Sequence, residues 1–122
     1  MNCVDSCGWL EYFADGKKAS FYAKAVEDIG SLVVPTVVLL EVFKRILQQR
    51  DEASALQAVA AMQQGTVVAL DAALALAAAT LGVRHALPLA DSVILATARA
   101  AEAVVWTQDA HFRDLPGVRF CG

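Results

Sequence analysis

The chain has 122 residues, 57% of them hydrophobic, 19% charged and only 7% aromatic, with a net charge of −3. That length makes one domain, residues 1–122, which buries roughly two-thirds of its unfolded surface. The composition implies a large aliphatic core and excludes a disordered chain, and the negative charge does not advertise the basic patch of a nucleic-acid binder.

Along the chain, strands and helices alternate. NCVDS (2–6) reads as a short strand ending in a turn at Cys7-Gly8, and WLEYFA (9–14) as a helical turn. KKASFYAKAVEDIG (17–30) reads as a helix closed by Gly30. SLVV is a buried strand; Pro35-Thr36 then opens a helix to about Gln49, and Asp51 or Glu52 starts another to about Gln64. TVVAL is a strand, after which Asp71 caps AALALAAATLG with Gly82 as its stop. Pro88 sits in the first turn of the next helix, AVVWT is a strand, and VRF is a last short one. Continuous rather than alternating apolar runs indicate an α/β fold, a parallel sheet of four to five strands with helices on both faces. In such sheets functional groups gather beyond the carboxyl ends of the strands.

No membrane span is expected. Leu32–Leu40 is too short for the roughly 20 residues needed, and Val67–Leu81 carries Asp71 near its start. The N-terminus MNCVDSCGW has neither the basic region nor the apolar stretch of a signal peptide, so a cytoplasmic protein is expected. Cys3, Cys7 and Cys121 are odd in number, lack a paired ligand spacing and read as reduced thiols.

Four acids fall where polar residues are costly. Asp5 ends the first strand and Asp109 lies just past AVVWT, while Glu41 and Asp91 are lone acids early in the apolar stretches VVLLEVF and PLADSVIL. Helix capping accounts for Asp5, a turn for Asp109 and the helix dipole for Asp91, each taken alone. Glu41 has no such account. Gathered at one end of a sheet, four carboxylates repel unless a cation neutralises them, and their oxygens suit Mg²⁺ or Mn²⁺. Asp71 reads as a cap, His85 as a helix-end residue, and Asp114 as a residue of the rim or of the surface.

VDSCGWLEYF, PTVVLLEVFKR, LPLADSVILATARA and VVWTQDAHFRDLPGV occur in that order, and with them the chain resembles the PIN-domain ribonucleases, most closely the VapC-type toxins of bacterial toxin–antitoxin pairs. The resemblance places the family's four acids on Asp5, Glu41, Asp91 and Asp109, its hydroxyl residue on Thr107, and a common neighbour of the first acid on Ser6. It implies Mg²⁺- or Mn²⁺-dependent hydrolysis of RNA and an antitoxin partner of VapB type. Asp5, Asp91 and Asp109 would ligate metal, with Glu41 ligating or orienting a water. His111 reads as a surface-loop residue.

Setting aside those four of the 13 acids leaves nine against ten Lys and Arg. Lys44, Arg45 and Arg99, on helices shared with a site acid, and Arg113 near the last are the candidate RNA contacts; a solvated surface explains each as well. Trp9, Tyr12, Phe13, Phe21 and Tyr22 fit a covered groove, the face of an expected homodimer or ordinary core packing. Two other readings stand beside the ribonuclease. A receiver-like phosphoacceptor would need paired acids after the first strand and a late lysine, but no Lys follows Lys44. A PIN-like module used only for binding would not need its acids intact.

Overall fold

The strands are short and rich in valine (NCV, LVVP, TVV, VVWT and VRF), and β-branched side chains suit a pleated surface packed by helices. In the computed structural model, which describes all 122 residues, these segments are β1 (Asn2–Val4), β2 (Leu32–Pro35), β3 (Thr66–Val68), β4 (Val104–Thr107) and β5 (Val118–Phe120). Six helices connect them: α1 (Ser6–Phe13), α2 (Ala19–Val26), α3 (Thr36–Gln49), α4 (Glu52–Met62), α5 (Ala72–His85) and α6 (Leu89–Ala100).

All four strand pairings are parallel, in the order β3-β2-β1-β4-β5. The first two crossovers step one way from β1 and the third returns past it to β4. Right-handed crossovers then put α1–α4 on one face and α5–α6 on the other. The reversal falls between β1 and β4, the place where open α/β sheets form a crevice beyond the strand ends.

Packing follows from helical spacing. In α3, Val38, Val42 and Ile46 recur every fourth residue and are buried, while Lys44 and Arg45 between them face solvent. In α6, every residue from Asp91 to Ala98 is buried, which explains why that stretch is apolar all round. A core of 24 buried residues unites both helices with β1, β2 and β4. Trp9 and Tyr22 belong to this core, and Phe21 packs on Trp106 with ring centroids 5.1 Å apart, so core packing accounts for these aromatics. No single helix is long and apolar enough to cross a membrane.

Several boundaries differ from expectation. Cys7 and Gly8 lie within α1, because Asp5 caps that helix directly after β1. The helix expected to reach Gly30 stops at Val26, and Gly30 falls in a single 3-10 turn, Ile29–Ser31. β3 ends at Val68 because it is an edge strand with little to bury. Pro88 is the N-cap of α6 rather than a residue of its first turn. Gly82 does not stop α5; the helix continues to His85 and ends at Ala86, whose φ of 54° is left-handed. Gly82 serves close approach instead, since a Cβ there would lie 2.6 Å from Ser92 Oγ on α6. Asp71, by contrast, caps α5 as expected, accepting from the Leu74 N–H at 2.9 Å.

Candidate active site

Parallel strands place their carboxyl ends beside the N-termini of the helices that follow, and all four acids lie at that end. Asp5 follows β1 and caps α1; Asp109 lies two residues beyond β4 and caps a 3-10 turn, Ala110–Phe112. Glu41 is in the second turn of α3 and Asp91 in the first turn of α6. The capping account of Asp5 and the turn account of Asp109 are therefore correct as local structure, yet these contacts occupy only part of each carboxylate.

Asp5 is buried and held from several sides. Its Oδ1 accepts the Ser6 N–H at 2.7 Å, and its Oδ2 accepts the Thr107 hydroxyl at 2.7 Å and the Cys7 thiol at 3.4 Å. Thr107, fully buried, also accepts the Asp109 N–H at 2.9 Å, so one hydroxyl links the first acid to the last. Burial pushes the Asp5 pKa up, its three hydrogen bonds offset part of this, and the Asp109 charge adds to the rise.

Asp91 shows the strongest effect. Burial, followed by the charges of Asp109 and Asp5, raises its pKa to about 7, with His111 opposing. His111 Nδ1 lies 3.2 Å from Asp91 Oδ2 and 2.9 Å from Asp109 Oδ1. The expectation of a free loop histidine is therefore corrected: its ring is 55% exposed, yet its Nδ1 is aimed at two site carboxylates. The 3-10 turn makes this possible. Asp109 Oδ1 accepts the His111 backbone N–H at 2.9 Å, which turns the residue back toward the acid two positions earlier. The spacing Asp-x-His after a strand is the sequence signal for it.

Glu41 completes the set. Its pKa is raised by burial first and then by the Asp5 and Asp109 charges, while the Ser6 side chain lowers it. Its Oε1 is buried without a hydrogen-bond partner. An orphaned carboxylate oxygen near the Asp5 and Asp109 charges suits a hard divalent cation. The chain supplies no Lys or Arg to neutralise them; its only ion pairs are those of His111. These residues thus fit a divalent metal.

Around the acids, the candidate RNA contacts separate. Lys44 and Arg45 line a groove of about 540 Å³ together with Ser6, Leu40, Glu41 and Leu89, so it opens from the acidic centre. Arg99 is not brought there, since it lies in the last turn of α6, about 12 Å along the helix from Asp91. Arg113 lies over the Phe120 ring at 4.9 Å, and Asp114 is exposed beyond the 3-10 turn. His85 ends α5 as expected. Cys3, Cys7 and Cys121 are free thiols, and burial pushes the Cys7 thiol up to about 11.

A parallel sheet with four acids at the carboxyl ends of its strands defines an α/β protein with an acidic end, where donor atoms of Asp91, Asp109 and His111 lie within 4.8 Å of one another. The chain belongs to the PIN domain family, whose family model matches residues 3–118. The fold is shared with solved toxins. A toxin–antitoxin complex from Klebsiella pneumoniae superposes with a TM-score of 0.82 at 18% identity, covering 98% of this chain and 96% of that one. VapC20 of Mycobacterium tuberculosis, described as a toxin that cleaves the sarcin–ricin loop, gives 0.81 at 17% identity and 97% coverage of both chains. The DNA-bound VapBC of Salmonella typhimurium gives 0.74 at 16% identity, covering 99% of this chain and 98% of that one. No curated protein sequence matches the chain.

Proposed function

We propose that this protein is a Mg²⁺- or Mn²⁺-dependent endoribonuclease acting as the toxin of a toxin–antitoxin pair. PIN membership and the likeness to VapC toxins support a nuclease toxin. One observation carries the metal dependence: Asp5, Glu41, Asp91 and Asp109 share one end of the sheet with no Lys or Arg paired to them.

In this reading Asp5, Asp91 and Asp109 hold the metal, and Glu41 binds it or orients a water. When bound, the ion supplies an activated water and neutralises charge that builds on the phosphoryl oxygens. The residues around it fix the acids. Thr107 and Ser6 hold Asp5, and the Thr107 oxygen sets the Asp109 backbone. Buried α6 presents Asp91 on a rigid element. Lys44 and Arg45 would take RNA phosphates along the groove beside Glu41, and Arg113, four residues past Asp109 and packed over Phe120, would be a further contact outside that groove.

Two protein partners belong to the same reading. A groove of about 290 Å³ between α1, α3 and α4, where Leu10, Phe13 and Ile46 stand beside Gln49, Arg50 and Gln57, is the seat it gives an amphipathic helix of a VapB-like antitoxin. A second copy would cover the outer face of α5, where Leu76 and Val83 are 73% and 87% exposed.

The test incubates wild type and Asp91→Asn with a mixed RNA pool in Mg²⁺, in Mn²⁺ and in EDTA. Cleavage by wild type alone, abolished by EDTA, is the expected result. Metal-independent cleavage, or equal cleavage by the variant, would overturn the mechanism.

A further inference from the structure

We propose that His111 ligates the metal through Nδ1, and that this nitrogen makes the centre take Mn²⁺ in preference to Mg²⁺. The inference rests on the metal-nuclease reading and specifies which ion that centre prefers.

The geometry singles out this residue. Donor atoms of Asp91, Asp109 and His111 lie within 4.8 Å of one another, and Nδ1 is 2.9 and 3.2 Å from the two carboxylate oxygens. Neighbouring ligands of an octahedral ion with bonds of about 2.1 Å lie about 3.0 Å apart, so Nδ1 is already spaced from each carboxylate oxygen as one ligand is from the next in a coordination shell. The Asp109 cap fixes the His111 backbone, and Nε2 has no protein partner. A histidine held only by solvent would not hold this orientation.

The chemistry gives the preference. Mg²⁺ binds oxygen almost exclusively and sheds water reluctantly, whereas first-row transition ions accept imidazole readily. A shell of carboxylates alone discriminates weakly between Mg²⁺ and Mn²⁺, and one nitrogen tips it toward Mn²⁺. A protonated imidazole bridging the two acids as an internal counter-cation would also sit at these distances. The two roles differ in sign: removing a ligand weakens Mn²⁺ binding, and removing a competing cation tightens it.

The experiment measures Mn²⁺ affinity by loss of the free-ion EPR signal, and Mg²⁺ affinity by competition, on wild type, His111→Ala and His111→Gln. Wild type is expected to bind Mn²⁺ at least tenfold more tightly than Mg²⁺. Both variants should lose about tenfold or more in Mn²⁺ affinity and less than threefold in Mg²⁺ affinity. Pulsed EPR of wild type should show ¹⁴N coupling to bound Mn²⁺ that both variants lack. An unchanged ion ratio, tighter Mn²⁺ binding by the variants, or no ¹⁴N coupling would overturn the assignment and leave the metal-nuclease reading standing. A wild type that binds neither ion would overturn both.

Discussion

The Thr107 hydroxyl donates to Asp5 Oδ2 at 2.7 Å from a fully buried position, and the same oxygen accepts the Asp109 N–H at 2.9 Å. Two acids that are 104 positions apart in the chain are thus fixed by one atom at the crevice between β1 and β4. Thr107→Val keeps the shape and removes both bonds. It should cost about 1–3 kcal/mol of stability, because the buried Asp5 carboxylate loses its shortest side-chain donor and the part-buried Asp109 N–H its acceptor. RNA cleavage should fall about 10- to 100-fold, the usual cost of losing a group that orients a metal ligand. Thr107→Ser, which restores the hydroxyl, should recover most of both; urea titrations and cleavage rates decide this.

Asp91→Asn should separate activity from stability. The carboxylate is buried against Asp5 and Asp109, so its charge opposes folding while no metal is bound. The variant is expected to lose RNA cleavage and yet to melt a few degrees higher than wild type in EDTA. A lower melting temperature would mean that Asp91 is held mainly by His111 and is not repelled on balance.

Stability should fall with rising pH. The folded pKa of Asp91 is raised to about 7 from an ordinary value of 3.8, and that of Asp5 is raised as well. The folded state therefore binds more protons than the unfolded one, so this contribution is complete below about pH 4 and is lost as pH rises through about 7. Melting curves in EDTA should show a lower midpoint at pH 8 than at pH 5. Adding a divalent ion should raise the midpoint more at pH 8, where the ligands are ionised.

Gly82 and Ser92 should behave as one unit. A methyl on residue 82 meets Ser92 Oγ at 2.6 Å, and that oxygen is engaged by the Pro88 carbonyl at 2.9 Å. Gly82→Ala alone should destabilise by about 1–3 kcal/mol through overpacking between α5 and α6. In a Ser92→Ala background the same change should cost less, and chemical denaturation of the four proteins in a double-mutant cycle measures the difference.

Lys44 and Arg45 line the groove that leaves the acidic centre, with no acid paired to either. Replacing either by Ala should weaken RNA binding about equally across sequences and lower the salt slope by about one unit. Arg99→Ala, at the other end of α6, should change neither. Fluorescence anisotropy at several salt concentrations distinguishes these cases.

Much of this was decided by the sequence. Valine-rich runs divided by helical segments determine parallel strands, because only a sheet covered on both faces buries such runs. Glu41 and Asp91 announce themselves because a carboxylate in an apolar helix is costly without a partner, and Asp5 and Asp109 because they follow strands. Helix ends were less legible: Gly82 has the composition of a stop, but its small size serves the approach of Ser92, a contact between two helices. His111 was decided only by the tertiary structure. Its neighbour Asp109 lies two residues away, but Asp91 comes from another element, and only the folding of α6 against β4 brings that carboxylate to Nδ1. Local sequence determines which residues are out of place; long-range packing determines what they face.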